Sequence, residues 1–397
     1  MNILNFIKKI SKLKIVFKLP SKRSLLIFDD TSVEDLKFII DEFDYFILSV
    51  RKDTIKYIII HPRIIYNFIL NAKYGLVKAY LMSVIKVISP KIILTNIDNS
   101  WQFSEIAKIL NDKFKFFAIQ NGARYDFKVN DHMYKTKITQ QNRNLIFFIP
   151  YLFCFGDYES DLYKKFNIPI KKFYPVGSLK YSNYLLHNNI NLRKKPVYEY
   201  DICLVSDSMI LKFDKKFGTT NEIDRYGKYL QYIIKYVRDK NKSFVCAFAK
   251  INSTIENLNN ELLFYKNYLN SDDYEFLINN STLKMEKNRY LSYNVMLKSN
   301  LSVSSFSTMI SEHLAVKRKI MPINFMQNKI FKFPINGKFV IENCTYEYLE
   351  KKISEALKLN EVDFINSFDN NTKYLMKYDT NQSTISKIKE ILKSNLS

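Results

Sequence analysis

Five hydroxyl side chains crowd the stretch Leu301-Ser-Val-Ser304-Ser305-Phe-Ser307-Thr308, and Glu312 follows one turn later. The surrounding apolar residues predict a short buried strand, a turn, a helix and, after Lys319, a second apolar strand. Ser307 and Thr308 are good N-cap residues. A helix N-terminus offers unpaired backbone N–H groups and a partial positive charge, so it can hold a phosphate. The hydroxyls of Ser304, Ser305, Ser307 and Thr308 add donors, and the Glu312 carboxylate can accept from a ribose. That chemistry suits a nucleotide with its sugar. It equally suits an ordinary capped helix in which Glu312 helps complete the cap. Two further residues of this half stand where they would face the same ligand: Ser206, closing the run Asp201–Val205, and Lys250, a candidate positive charge after Ser243–Ala249.

A second set occupies the first half. Asp29, Asp30, Asn96, Asp98, Gln120, Asn121, Gly122 and Gly177 all close apolar runs. Transfer to a hydroxyl acceptor needs a base near that hydroxyl. The candidates are Asp30, Asp98 and the adjacent pair Asp131 and His132. Gln120 and Asn121 can bind sugar hydroxyls, although Asn121-Gly122 is also a common turn dipeptide. Gly177 and Ser178 end a later run. His61, His132, His187 and His313 are scattered, and Cys154, Cys203, Cys246 and Cys344 lack paired spacing. No metal site follows from these spacings, and the cysteines are expected to be buried, reduced thiols.

These residues need a frame. Apolar runs at Ser24–Phe28, Tyr45–Val50, Tyr57–Ile60, Lys91–Asn96, Phe116–Gln120, Tyr151–Gly156 and Phe173–Ser178 alternate with helical periodicity. Examples of the latter are Val33–Phe43, Ile64–Ser89 with a break at Gly75, Ser100–Asn111 and Tyr158–Phe166. After a polar stretch at Asn188–Tyr200 the alternation resumes, with strands expected at Asp201–Val205, Ser243–Ala249, Tyr274–Ile278 and Phe339–Ile341. Helices are expected at Tyr226–Asp239, Ile255–Leu269, Tyr290–Lys298, Tyr346–Leu357 and Thr384–Leu392. Strands alternating with helices indicate βαβ units and parallel sheets, which bind ligands at the carboxyl ends of their strands. The predicted fold is α/β, two Rossmann-like domains with a cleft between them. The expected divisions are a basic segment at 1–23, an acceptor domain at 24–190, a donor domain at 200–360 and a helical tail at 361–397.

Composition bounds the function classes. The chain has 397 residues, 47% hydrophobic, with a mean hydropathy of −0.20 and no apolar run long enough to span a bilayer. The formal net charge is +22. The same chain is rich in Lys, Ile, Asn, Tyr and Phe and poor in Gly and Pro, a skew that inflates lysine without functional purpose. Anionic partners are favoured all the same. The first 23 residues carry seven Lys or Arg and no acid, with apolar residues at roughly helical spacing. Such a segment suits an anionic membrane face, or a helix packed on its own domain. Nucleic acid is not expected as a partner, because no binding motif is present and the lysines are spread rather than striped.

The segment Tyr290–Ala315, with Ser305, Ser307, Thr308 and Glu312, resembles the donor-site segment of bacterial surface-polysaccharide glycosyltransferases of the GT-B fold. Capsule and O-antigen enzymes, Kdo transferases and CDP-glycerol glycerophosphotransferases share that arrangement. Gln120-Asn121-Gly122 with Arg124, and Val176-Gly177-Ser178 with Lys180, are similar to motifs of O-antigen biosynthesis proteins. The resemblance implies a nucleotide-sugar donor, CMP- or UDP-linked, with no metal or other cofactor. It implies a glycan or lipid-linked acceptor and work at the cytoplasmic face of the cell membrane. A polyol-phosphate transferase and a sugar-nucleotide epimerase share the architecture and stay open beside it. Two departures stand out: Val316-Lys317-Arg318-Lys319 where relatives often carry a Gly, and a first strand without a Gly-rich loop.

Overall fold

The computed structural model describes residues 14–51, 57–124, 139–140, 145–146, 148–165, 168–207, 220–305, 307–326, 332–369 and 372–396. Asp131 and His132 lie outside them.

The strands are β1 (Lys14–Val16), β2 (Leu25–Phe28), β3 (Tyr45–Leu48), β4 (Tyr57–Ile59), β5 (Ile92–Thr95), β6 (Lys115–Ile119), β7 (Thr139–Gln140), β8 (Leu145–Ile146), β9 (Tyr151–Cys154) and β10 (Lys172–Pro175), then β11 (Tyr200–Val205), β12 (Phe244–Ala247), β13 (Ser299–Ser304), β14 (Ile320–Asn324) and β15 (Ile341–Glu342). Six of them form a sheet in the order β10-β9-β6-β5-β2-β3, and five form another in the order β12-β11-β13-β14-β15. Every pairing in both is parallel. Parallel sheets need both faces covered, which is why β2 and β5 are buried at every position. In the first sheet the strand order reverses between β2 and β5, and in the second between β11 and β13. Those switch points open crevices at the carboxyl ends, where ligands of such sheets bind. The architecture is the predicted one, two doubly wound α/β units.

Several local expectations are corrected. Tyr274–Ile278 is not a strand but part of the helix Ser271–Asn279. Asn270 caps it by accepting from Asp273 N at 2.8 Å, and Asp272 and Asp273 favour its first turn. β4 does not join the first sheet; it pairs with β1 in a separate two-stranded sheet. Lys14–Val16, expected within a basic helix, is therefore strand, and the rest of that amphipathic pattern falls mostly outside the described residues. The stretch expected as a tail returns to the first half. Ile385, Ile388 and Leu392 of the helix Thr384–Leu396 pack with Leu25, Ile27 and Ile92 of the first sheet.

The sequence Val316–Lys319 now has a physical account. Lys317 takes a positive φ of 62° just past the helix Thr308–Ala315, the position glycine commonly fills. Lys319 is buried, and its ammonium donates to the carbonyls of Ala356, Leu357 and Leu359 at 2.9–3.3 Å. It thereby satisfies the end of the helix Tyr346–Lys358.

Candidate functional site

At the second switch point the chain ends of β11 and β13 lie side by side, and Asp207 ties them together. Its carboxylate accepts from Ser304 Oγ at 2.8 Å and from Ser305 N at 2.7 Å. Ser304 and Ser305 are buried. Their turn is thus held from behind, which aims the following helix. That helix, Thr308–Ala315, begins at Ser307, whose side chain makes no cap hydrogen bond. The alternative in which Glu312 helps complete the helix cap is not what the structure shows. Glu312 is 2% exposed and accepts instead from Ser178 Oγ at 2.5 Å and Tyr293 OH at 2.8 Å. Burial pushes its carboxyl above the usual range, against the pull of those two hydroxyls.

Ser178 belongs to the other half, so the Glu312 contact crosses between the sheets. A second crossing lies beside it, where Thr308 Oγ1 accepts from Ala123 N at 2.9 Å. A third is the ion pair of Arg289 with Asp35, at 2.5 Å. Between these contacts opens a cleft of about 730 Å3, within the range of ligand pockets. Gln120, Asn121, Ser178, Ser206, Ser307, Thr308 and Glu312 of the predicted residues line it. Lys180 and Arg289 supply its cations. Lys180 is exposed, its ammonium 5.8 Å from the centre of the Tyr293 ring. A larger hollow, about 1000 Å3, lies beside the linker residues Arg193–Pro196 and carries none of the predicted residues.

Other predicted residues serve the frame. Asp98, a candidate base, is buried and held by Arg124 at 2.5 Å, by Asn121 N at 3.3 Å and by Tyr163 OH at 3.4 Å. It fixes the turn after β6 and is not directed at an acceptor. Asp30 accepts from Ser49 Oγ at 2.9 Å and is not among the described residues lining the cleft. Gln120 is buried, bonded to Gly122 O, Glu159 and Phe155 N, each at 2.9 Å. Gly122 lies under the Arg124 and Thr308 side chains. Gly177 has φ +94°, and an added Cβ would lie 2.3 Å from Lys377 O, so its role is to let the returning chain pass. Ser178 caps the helix Leu179–His187 as well as meeting Glu312. Ser206 donates to Glu261, which also accepts from Ala249 N at 3.1 Å and Lys250 N at 2.9 Å. The backbone of Lys250 is thus anchored at the cleft edge, but its side chain is not among the described lining.

The sequence reading did not single out Arg289, Asp35, Glu159 or Glu261. Arg289 and Asp35 carry no motif. Glu159 and Glu261 did leave a signal: each stands three and four residues before apolar residues that are buried with it, Leu162 and Tyr163 in one helix and Phe264 and Tyr265 in the other. An acid on the apolar stripe of a helix marks a buried carboxylate with work to do. Among the described residues no group of three or more His, Cys, Asp or Glu could hold a metal ion, and no helix is long and apolar enough to cross a membrane.

No family model matches the chain, and no curated protein sequence does. Solved structures do match. The UDP-GlcNAc 2-epimerase of Methanocaldococcus jannaschii aligns over 96% of this chain and 100% of its own, with a TM-score of 0.50 and 12% identity. The S. aureus MnaA–UDP structure aligns over 96% and 97%, with a TM-score of 0.52 and 9% identity. The wall teichoic acid polymerase TagF aligns over 95% and 89%, with a TM-score of 0.46 and 11% identity. At such identities the likeness is one of fold. This chain has the GT-B-type architecture, two Rossmann-like domains facing each other across a cleft.

Proposed function

We propose that this chain is a glycosyltransferase that moves a sugar from a nucleotide-activated donor to a glycan or lipid-linked acceptor, as part of surface-polysaccharide assembly at the inner face of the cell membrane. The observation that carries the reading is the start of the helix Thr308–Ala315 opening into the cleft, with Lys180 also on its wall. A departing nucleotide carries negative charge on its phosphate. Backbone N–H groups at a helix N-terminus and a lysine in a confined cleft stabilise that charge as it develops. Ser307 adds a hydroxyl there, and Glu312 stands one turn deeper to accept from a sugar or ribose hydroxyl. The donor is taken as UDP- or CMP-linked. UDP is the nucleotide named for the S. aureus neighbour, a fold-level analogy. The first half would receive the acceptor through Asn121, which lines the cleft. With Asp98 committed to Arg124, and Asp30 bonded to Ser49 and not among the described residues of the cleft wall, the sequence's remaining candidates for the base are Asp131 and His132.

A second reading is favoured by one finding: the M. jannaschii neighbour, at a TM-score of 0.50, is a UDP-GlcNAc 2-epimerase. An epimerase would use the same donor pocket without an acceptor.

Thermal unfolding with CMP, CDP, UDP, GDP and a short oligonucleotide tests the proposal. A nucleotide at about a hundred times its dissociation constant adds roughly 2.7 kcal/mol, a visible rise in melting temperature. The expected result is a salt-tolerant rise with UDP or a cytidine nucleotide, reduced in Lys180→Ala. A rise with the oligonucleotide alone, vanishing as salt increases, would overturn it. Incubation with UDP-GlcNAc then separates the two enzyme readings. Nucleotide release that requires an acceptor supports transfer, whereas conversion of the sugar without net release supports epimerisation.

A further inference from the structure

Exposed large apolar side chains are not spread over this molecule. Of fifteen among the described residues, nine fall between Ile15 and Val77. Six of these sit on one helical hairpin. The helix Pro62–Asn71 shows Ile65, Tyr66, Ile69 and Leu70 at 44–66% exposure, positions that share one face of a helix. After a short 3-10 turn and Gly75, the helix Leu76–Ile88 opens with Leu76 at 71% and Val77 at 52%. The opposite side of each helix is packed, through Ile64 in the first and Ala79, Met82 and Ile85 in the second. The hairpin is therefore an anchored element with an apolar tip.

Its charge is as uneven as its apolarity. Between Asp53 and Asp98 the chain carries six Lys or Arg and no acidic residue. Arg63 and Lys73 are exposed on the hairpin itself, and Lys14 and Lys18 on the neighbouring β1 segment. Isolated exposed apolar residues are ordinary, but a cluster of this size marks an interaction surface. Lys78 of the second helix is paired with Glu105 at 3.2 Å. Arg63, Lys73, Lys14 and Lys18, exposed around the apolar face, complement an anionic lipid surface, into which apolar side chains can insert to the depth of the acyl boundary. The hairpin also faces the useful way. The helix Leu76–Ile88 leads back to the start of β5, so its apolar beginning lies toward the carboxyl ends of the first sheet, the edge on which the cleft opens.

We infer that the hairpin Pro62–Ile88 is a membrane-docking element that inserts Ile69, Leu70, Leu76 and Val77 into an anionic bilayer and presents the cleft to lipid-linked material. The inference supplies the acceptor side of the proposed function, and vesicle binding is read without any nucleotide, so either can fail alone. The test is co-sedimentation of the full chain with vesicles of phosphatidylcholine, or of phosphatidylcholine and phosphatidylglycerol in equal parts, at low and moderate salt. The chain is expected to pellet with the anionic vesicles, less so as salt rises. The double variant Leu70→Ser with Leu76→Ser is expected to partition about tenfold more weakly or worse. Its melting temperature should match that of the native chain, since both side chains are exposed. Equal pelleting of the variant overturns the inference, as does absence of binding to anionic vesicles. Failure to bind vesicles, with a shift from dimer to monomer in the variant, assigns the face to a second copy and overturns it too.

Discussion

Three glutamates carry much of the site's organisation, and all three are buried. Glu261 holds the turn after β12, Glu312 meets the opposite half, and Glu159 fixes Gln120 and Gly156 N behind the β6 turn. Burial raises each carboxyl, and for Glu159 it does so from 4.5 to about 7, against its hydrogen bonds to Gln120 and Gly156. A raised acid favours the protonated form in the folded state. Its contribution to stability is therefore fully present below about 4.5 and is lost as the pH climbs through about 7. The span corresponds to at most ~3 kcal/mol. Glu159→Gln removes the titration while keeping the shape. In urea unfolding at pH 5 to 8, the native chain should lose stability relative to this variant as pH rises. A difference that stays flat would mean that the two hydrogen bonds hold the carboxylate ionised throughout.

At the scale of elements, strands and helices were legible where periodicity was long and the ends carried caps. Asp201–Val205, Ile255–Leu269 and the break at Gly75 are examples. Tyr274–Ile278 was misread because five residues, apolar except for Glu275, have no decisive period, and the stronger signal was the Asn270-Ser-Asp-Asp cap before them. The Ser304–Glu312 stretch was legible as a strand, a turn and a helix, but not the partners that orient it. Asp207 and Ser178 lie about a hundred residues or more away in sequence. Glycines showed the same limit. Gly156 and Gly177 read as strand-end residues, yet both are glycine because the returning chain passes over them, with carbonyls of Tyr374 and Lys377 2.3 Å from where a Cβ would stand. Gly177→Ala should therefore cost about 2–4 kcal/mol, from a positive φ and an overpacked backbone contact. A lower denaturant midpoint with an unchanged slope would record it. An unchanged midpoint would mean that the crossing segment gives way freely.

The whole molecule is held closed by contacts of two kinds. An apolar cluster joins Tyr181 and Tyr184 to Tyr290, Tyr293 and Val316, with the Tyr184 and Tyr293 rings stacked at 5.1 Å. The polar crossings sit on the cleft itself: Ser178 to Glu312 and Ala123 N to Thr308, both at the Thr308–Ala315 helix, and the Arg289–Asp35 ion pair. The first two, a hydrogen-bonded pair, are made at the helix proposed to receive the donor, and Tyr293 of the cluster reaches the same place through its hydroxyl on Glu312. Removing the pair by Ser178→Ala with Thr308→Val should shift the population toward an open cleft. Each hydrogen bond is worth about 1 kcal/mol net, so the closed form loses about tenfold or more in relative population. Small-angle scattering of the free variant should then give a larger radius of gyration than the native chain. Saturating nucleotide should restore the native value, at an apparent dissociation constant about tenfold higher. A radius unchanged by the substitutions would mean that the tyrosine cluster and the Arg289–Asp35 ion pair set the closed arrangement, and that the two hydrogen bonds serve only to shape the pocket.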